Sequence, residues 1–420
     1  MPIVACKRQY VSRFIPVHRK RVIDVSALSA AMPPRMSIVL PTRERGYYLE
    51  YALRSCARSR VDSLEILVID NASTDNTGEI VARCADPRIR YIRNDRRLSM
   101  HDNFERGLEE ARGDIICMLG DDDAILPSAP EMVLGWMEGP EISAAACHRA
   151  YYGWPDLQSG RSGMALVPRR ADKQILSSRN ELSTLLYHAD YYRLPCLYHG
   201  FVRRAPVERI RTRQGRFFLS NNPDIYSAVS LSMEGLDYVY SLAPLIVNGG
   251  SSRSNGASHF GGAPELEKQL WIQEDNLGTL PGFEDMITID AVIIETALRY
   301  CRANSATLEE IFDPISLRRC LGVEVLRREQ ADRNPASNEA MLAEAGFNRS
   351  DIAGITLPPR NRLGELLRAF RRTIPIDLKQ SGIIDVDAAA SAIEGMVRSG
   401  RTGFLSSPLR QASAAMSLAR

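Results

Sequence analysis

Apolar residues in this chain come in short runs, and the first regular one is MSIVLP, Met36–Pro41. A run of that length closed by a proline predicts a buried strand. Leu49, Ala52, Leu53, Cys56 and Ala57 then fall at i, i+3, i+4, i+7 and i+8, the apolar face of a helix. LEILVID (Leu64–Asp70) predicts a second strand. ASTDNT follows it, rich in helix-capping residues, and opens a helix through Glu79, Val81 and Ala82. RIRYIRN (Arg88–Asn94) alternates as a third strand, and Phe104, Leu108 and Ala111 mark another helical face. DIICML (Asp114–Leu119) predicts a fourth strand, Pro127 suits the first turn of a new helix, and AAACHR (Ala144–Arg149) predicts a fifth strand.

Strand and helix thus alternate about every 12–15 residues, which predicts an α/β fold with a mostly parallel sheet flanked by helices. In such sheets ligands bind beyond the carboxyl ends of the strands. Three polar clusters stand there: Pro41-Thr42-Arg43-Glu44-Arg45, Asp70-Asn71 and Asp121-Asp122-Asp123. They should meet on one edge, the expected site. Residues 151–170 are poorly periodic and read as a loop. Asn248–Pro264, NGGSSRSNGASHFGGAP, is polar and glycine-rich, a lid or a linker. From Glu265 the chain reads mainly helical, with a break near Leu357–Arg362. The expected division is a basic extension (1–35), a catalytic domain (36–263, split near 150 into donor and acceptor halves) and a helical C-terminal region (264–420).

Composition narrows the partners. The 420 residues are 45% hydrophobic and 25% charged, ordinary for a globular protein, and the net charge of +2 gives no footprint for nucleic acid. The eight cysteines form no C-x-x-C pair, which argues against zinc and for buried thiols in a reducing compartment. No stretch approaches the ~18 apolar residues of a membrane span. The N-terminus has no acidic residue before Asp24 and lacks a signal-peptide pattern. A loose basic extension is the preferred reading there, with an organellar targeting segment the alternative. The expected location is the cytoplasm.

Carboxylates at adjacent positions repel one another. A divalent cation, Mg2+ or Mn2+, relieves three aspartates at a strand end, since both prefer hard oxygen ligands. The other reading is an acidic turn capping the helix at Pro127. One aspartate would suffice for a cap.

IVLPTRERG, ILVIDNASTDNT and NFERGLEEARGDIICMLGDDDAILP, over Met36–Val133, resemble in order and spacing the signatures of family 2 glycosyltransferases, which have the GT-A fold. The resemblance implies a nucleotide-sugar-dependent transferase, usually inverting, that uses Mn2+ or Mg2+. It implies that Asp70 and Asn71 hold the base. Pro41, Thr42, Glu44 and Arg45 would lie beside the nucleotide, with Glu44 replacing the usual asparagine and leaving the base open. Read literally, the D-x-D motif is Asp121 and Asp123. Anchored on the following proline, it makes Asp122 the metal ligand and sets Asp121 toward the ribose, and Gly120 stands where the family often has an earlier aspartate. Asp122, Asp123 and His259 are the expected metal ligands. Asp224, in SNNPDIYSAVSLS, matches the acceptor-side acid and is the expected general base. An N-cap role is its alternative, and Glu234 and Asp237 are fallbacks. His199 reads as a satisfied core histidine, and Arg253 as a contact for the diphosphate.

RNRLGELLRAFRR (360–372) places Leu363, Leu366, Leu367 and Phe370 on one face ringed by arginines. Docking on the catalytic domain is preferred. Peripheral contact with an anionic membrane is the alternative, and it would bring a lipid-linked acceptor within reach. The expected partners are a nucleotide-sugar donor and a glycan or lipid-linked acceptor, in polysaccharide or glycan biosynthesis. Two alternatives stay open: a nucleotidyltransferase on a related scaffold, disfavoured by the lack of a Gly-rich loop after the first strand, and a sugar-nucleotide-binding protein without turnover.

Overall fold

The computed structural model describes residues 33–188, 190–254, 273–274, 277–284, 286–358 and 372–399. The predicted strands and helices of the first half are present: β1 (Met36–Thr42), α1 (Gly46–Ala57), β2 (Leu64–Asp70), α2 (Thr77–Arg83), β3 (Ile89–Arg93), α3 (Met100–Glu110) and β4 (Ile115–Met118). After the aspartates come β5 (Ala124–Ile125), α4 (Ala129–Trp136), β6 (Ala144–Cys147), β7 (Ala150–Gly153), β8 (Met164–Pro168) and β9 (Lys173–Ser177). The later strands are β10 (Phe201–Arg203), β11 (Asp237–Ser241), β12 (Ile246–Gly250) and β13 (Thr373–Asp377).

An eight-stranded sheet has the order β3-β2-β1-β4-β10-β6-β11-β9. The expected parallel arrangement holds across β3-β2-β1-β4, and beyond β4 the sheet mixes directions. Alternation along the central strands explains why both faces are covered. Ile38, Leu40, Ile66 and Val68 pack with Leu49, Ala52, Leu53 and Cys56 of α1. Val39, Leu67 and Ile69 turn the other way, onto Leu108 and Ala111 of the α3 side. There Gly107 permits close approach, since a Cβ on it would lie 2.8 Å from Val39 Cγ1.

A second sheet, β13-β8-β7-β12-β5, stands beside the first. Residues 151–170, expected to be a loop, contribute β7 and β8 to it. Their strand character comes from partners far along the chain, with Asp377 pairing to Met164 and Val247 to Ala150. The helix expected at Pro127 starts at Ala129, with Pro130 in its first turn.

Helices at Ile289–Asn304, Pro314–Gln330 and Pro335–Glu344 form a separate apolar core with the Pro223–Met233 helix. This is the expected helical C-terminal region. The described residues on both sides of position 264 fall in one compact unit that begins at Pro34. The helix Val386–Arg398 returns to the first half, where Val386, Ala389, Ala390 and Ile393 join the core under α1 and Arg58 holds Asp387 at 2.5 and 2.8 Å. Residues 360–371 of the expected amphipathic segment and residues 1–32 of the expected extension lie outside the described residues.

Candidate active site

The aspartate triplet stands where the chain leaves the first sheet through β4 and enters the second through β5. The parallel register aligns the carboxyl ends of β1 and β2, with Thr42 opposite Asp70. The β1 loop then reaches the triplet. Thr42 Oγ1 donates to Asp121 Oδ2 at 2.7 Å, and Arg45 Nη1 donates to Asp121 Oδ1 at 2.9 Å. Both oxygens of Asp121 are thereby engaged. Burial works against the charge of Arg45, but Asp121 and Asp122 outweigh it, so the guanidinium stays protonated.

Asp122 has different neighbours. Its Oδ2 accepts from Ser251 Oγ at 2.7 Å and Ser254 Oγ at 2.6 Å, while Oδ1 lies 4.0 Å from Arg45 Nη1. Among the described residues no donor is bonded to Oδ1. Burial, opposed by Arg45 and reinforced by the charges of Asp123 and Asp121, pushes this carboxyl up to about 7.

Asp123, expected as a metal ligand, is spent on structure. Oδ2 accepts from Gly120 N at 3.0 Å, Tyr198 OH at 3.1 Å and His199 Nε2 at 2.5 Å, and Oδ1 from Gly249 N at 2.7 Å. Burial would raise its pKa, yet His199 and these donors hold it below the usual carboxylate value. Arg149 Nη1 donates to His199 Nδ1 at 2.9 Å, which assigns the proton on Nε2 to Asp123. His199 is buried, as expected of a core histidine, but its partner is the triplet. It adopts φ +64°, in the left-handed region. Gly120 cannot carry the acid the family often has, because a Cβ there would lie 2.3 Å from Asp123 Oδ2.

The second strand end departs from the expectation. Asp70 is 1% exposed and does not line the cleft. It accepts from Ser73 N at 2.9 Å and Tyr91 OH at 2.5 Å. Asn71 does line the cleft, but its amide pins the backbone of Leu98 from both sides at 2.8 Å. Glu44, at φ +54°, turns its carboxylate into the 73–75 turn, accepting from Thr74 N at 2.7 Å and Asp75 N at 3.1 Å.

Asp224 opens the Pro223–Met233 helix and lines the same cleft. Its Oδ2 accepts from Tyr191 OH at 2.7 Å and Tyr192 OH at 3.3 Å, and Oδ1 from Ile225 N at 2.9 Å. The fallbacks are elsewhere: Glu234 is held by Arg209 and Arg213 at 2.9 Å each, and Asp237 lies exposed at the start of β11. Arg253 lines the cleft and donates to Glu44 O at 2.7 Å. His259 lies outside the described residues.

The cleft that gathers Pro41–Arg45, Gly120–Asp123, Tyr191, Tyr198 and Asp224 has a volume of about 500 Å3. Sequence reasoning missed Ser251, Ser254, Arg149 and the three tyrosines. The serines stand in the polar glycine-rich segment after β12, whose composition was the available signal.

The family model for glycosyl transferase family 2 matches residues 37–200. The chain is 32% identical over 128 residues to an uncharacterized protein of Mycobacterium tuberculosis, covering 30% of this chain and 40% of that protein. It is 34% identical over 99 residues to the GalNAc(5)-diNAcBac-PP-undecaprenol beta-1,3-glucosyltransferase of Campylobacter jejuni, covering 23% of this chain and 32% of that one. The chain therefore spans less than half the length of these two curated relatives. Among solved structures, a mannosyltransferase from Pyrobaculum calidifontis in complex with GDP-Man and Mn2+ aligns over 88% of both chains at 16% identity, with a TM-score of 0.42. The family match, the strand-end motifs and the aspartate triplet fall on one stretch, and residues 37–200 of this chain are a glycosyl transferase family 2 domain.

Proposed function

We propose that the chain is a metal-dependent, inverting glycosyltransferase that moves a sugar from a nucleotide-diphosphate sugar to a hydroxyl acceptor. The observation that carries this reading is a division of labour among carboxylates in one cleft. Among the described residues Asp122 keeps an oxygen without a hydrogen-bond donor, beside two further carboxylates, and Asp224 is held in the same cleft by two tyrosine hydroxyls.

The residues fit a divalent cation. Two of the three buried carboxylates, Asp121 and Asp122, share one arginine, and the charge cost shows at Asp122. Among the described residues no group of three or more His, Cys, Asp or Glu side chains is placed to hold a metal ion. Phosphate oxygens and water would therefore have to complete the coordination, as Mg2+ commonly allows. Asp122 would hold it, with Asp121 behind, and when bound it would stabilise charge developing on the diphosphate leaving group. Asp123 supports the turn instead. Arg45 and Thr42 fix Asp121 and so tie the loop after β1 to the triplet. Pro41, Thr42, Arg45, Asn71 and Arg253 line the cleft for the nucleotide and its phosphates, and Asp70 and Glu44 shape that wall from behind.

Asp224 acts as the general base that takes the acceptor hydroxyl proton. The hydroxyls of Tyr191 and Tyr192 orient its carboxylate from one side. The acceptor is a glycan, free or lipid-linked, in polysaccharide or glycan biosynthesis; the name of the Campylobacter relative supports the lipid-linked form. Among the described residues no helix is long and apolar enough to cross a membrane. The enzyme would work at the cytoplasmic face and meet such an acceptor peripherally.

The test is a calorimetric panel of UDP, GDP, dTDP and CDP, each with and without Mn2+, on wild type and Asp122→Ala. Metal-dependent binding of one nucleotide, lost in the variant, supports the donor site and names the base. Failure of every nucleotide to bind the folded protein sinks it. Binding without turnover on any acceptor favours the inactive alternative.

A further inference from the structure

Arg43 stands in the loop after β1, and Arg97 between β3 and α3. Both line the cleft, and Glu274 lines it with them. Arg43 Nη1 lies 2.5 Å from Glu274 Oε2, and Arg97 Nη2 lies 2.7 Å from Glu274 Oε1. Each guanidinium thus holds one oxygen of the same carboxylate. Two arginines can grip a phosphate in the same way, one oxygen apiece. The charges do not balance: two cations meet one anion, and among the described residues neither arginine has a second acidic partner. A dianion would settle the difference. The side chains of Arg43, Arg97 and Glu274 are 28%, 40% and 19% exposed, a range in which charge pairs are weakly held and screened by salt.

We propose that Arg43 and Arg97 form an anion subsite for a phosphate group of the substrate, with the Glu274 carboxylate as its internal occupant in the ligand-free protein. The identity of the substrate rests on the glycosyltransferase reading; the anion site does not. The phosphate is the donor's own or one carried by the acceptor. In either case the ligand displaces Glu274, and where it presents a diphosphate or a terminal phosphate the two arginines exchange a monoanion for a dianion.

The experiment is calorimetric titration of pyrophosphate, with EDTA and at low salt, into wild type, Glu274→Gln, and Glu274→Gln combined with Arg43→Gln or Arg97→Gln. Removing the internal competitor should tighten binding roughly three- to tenfold. Either arginine substitution should abolish that gain, and so should 0.5 M salt, added as a ~0.5 M screen. Equal affinity of wild type and Glu274→Gln overturns the proposal, as does a gain that survives either arginine substitution. Melting temperatures of each variant separate loss of fold from loss of binding. The pyrophosphate result stands whatever the nucleotide panel gives, so failure of the subsite and failure of the donor-site reading are distinguishable. Repeating the titration of Glu274→Gln with phenyl phosphate, in Mg2+ and saturating nucleoside diphosphate, identifies the source. Competition assigns the phosphate to the donor, and undiminished binding assigns it to the acceptor.

Discussion

Replacing Asp122 with asparagine should stabilise the ligand-free protein, and more at pH 8 than at pH 5. Burial is the main force on this carboxyl, and with Asp121 and Asp123 beside it the pKa rises to about 7 despite Arg45. In the unfolded chain the same group titrates near its ordinary ~3.9. Between those values the unfolded chain releases its proton and the folded chain keeps it. The group's contribution is therefore whole below about pH 4, declines as the pH rises, and is fully lost above about pH 7. One pKa unit corresponds to ~1.4 kcal/mol, so a rise of ~3 units sets a ceiling of ~4 kcal/mol. Asp122 lines a cleft that water and ions enter, which reduces the expectation to ~1–2 kcal/mol. Asparagine keeps the shape, and its Oδ1 can still accept from Ser251 and Ser254, but it carries no charge. At ~2–4 °C per kcal/mol for a large domain, the gain at pH 8 should be about 2–8 °C, with a smaller gain at pH 5. Scanning fluorimetry in EDTA at both pH values reads this directly. Adding Mn2+ at pH 8 should raise the melting temperature of wild type and leave the variant unmoved. A variant that melts below wild type at pH 8, or a gain independent of pH, would refute the reasoning.

Asp224→Asn should reduce transfer by roughly 10²–10⁴-fold yet leave nucleotide affinity within about twofold of wild type, read by a transfer assay beside calorimetry. Near-normal transfer would remove Asp224 from the mechanism. Gly249→Ala should cost ~2–4 kcal/mol in urea unfolding, because the new Cβ would stand 1.8 Å from the Asp122 carbonyl oxygen, a backbone atom that cannot turn aside. Glu324→Gln should cost ~3–5 kcal/mol, since Arg328 is fully buried, lies 2.8 Å from Glu324 and would keep its charge without a counterion. The urea midpoint of that variant, compared with Glu324→Gln/Arg328→Met, separates the unpaired charge from lost packing.

Much of the first half was legible because its signals are local. The apolar runs MSIVLP and LEILVID carry both the strand and its two buried faces, and parallel pairing aligns Thr42 with Asp70 at one sheet edge. The strands β7 and β8 had no such signal. They are four and five residues long, and β8 pairs with residues 373–377, over 200 positions onward. Glu44 was legible as a residue of the loop but not as a structural one. Its direction follows from a positive φ and from backbone donors at Thr74 and Asp75.

The triplet shows where local reading ends. Three identical residues in a row have three different roles, and the side-chain donors that decide them lie 75 to 132 positions away. Asp121 belongs to the loop after β1, Asp122 to the serines after β12, and Asp123 to His199 and Gly249. This division is possible only because the triplet stands at the seam of two sheets, where partners arrive from β1, β10 and β12 at once. Repulsion among the three is answered on two members by hydrogen bonds that occupy both oxygens. On Asp122 it is answered only in part, and burial with the neighbouring carboxylates raises the pKa of that group. A cation held at Asp122, as proposed above, would answer the rest, whereas a helix cap would need only one of the three carboxylates.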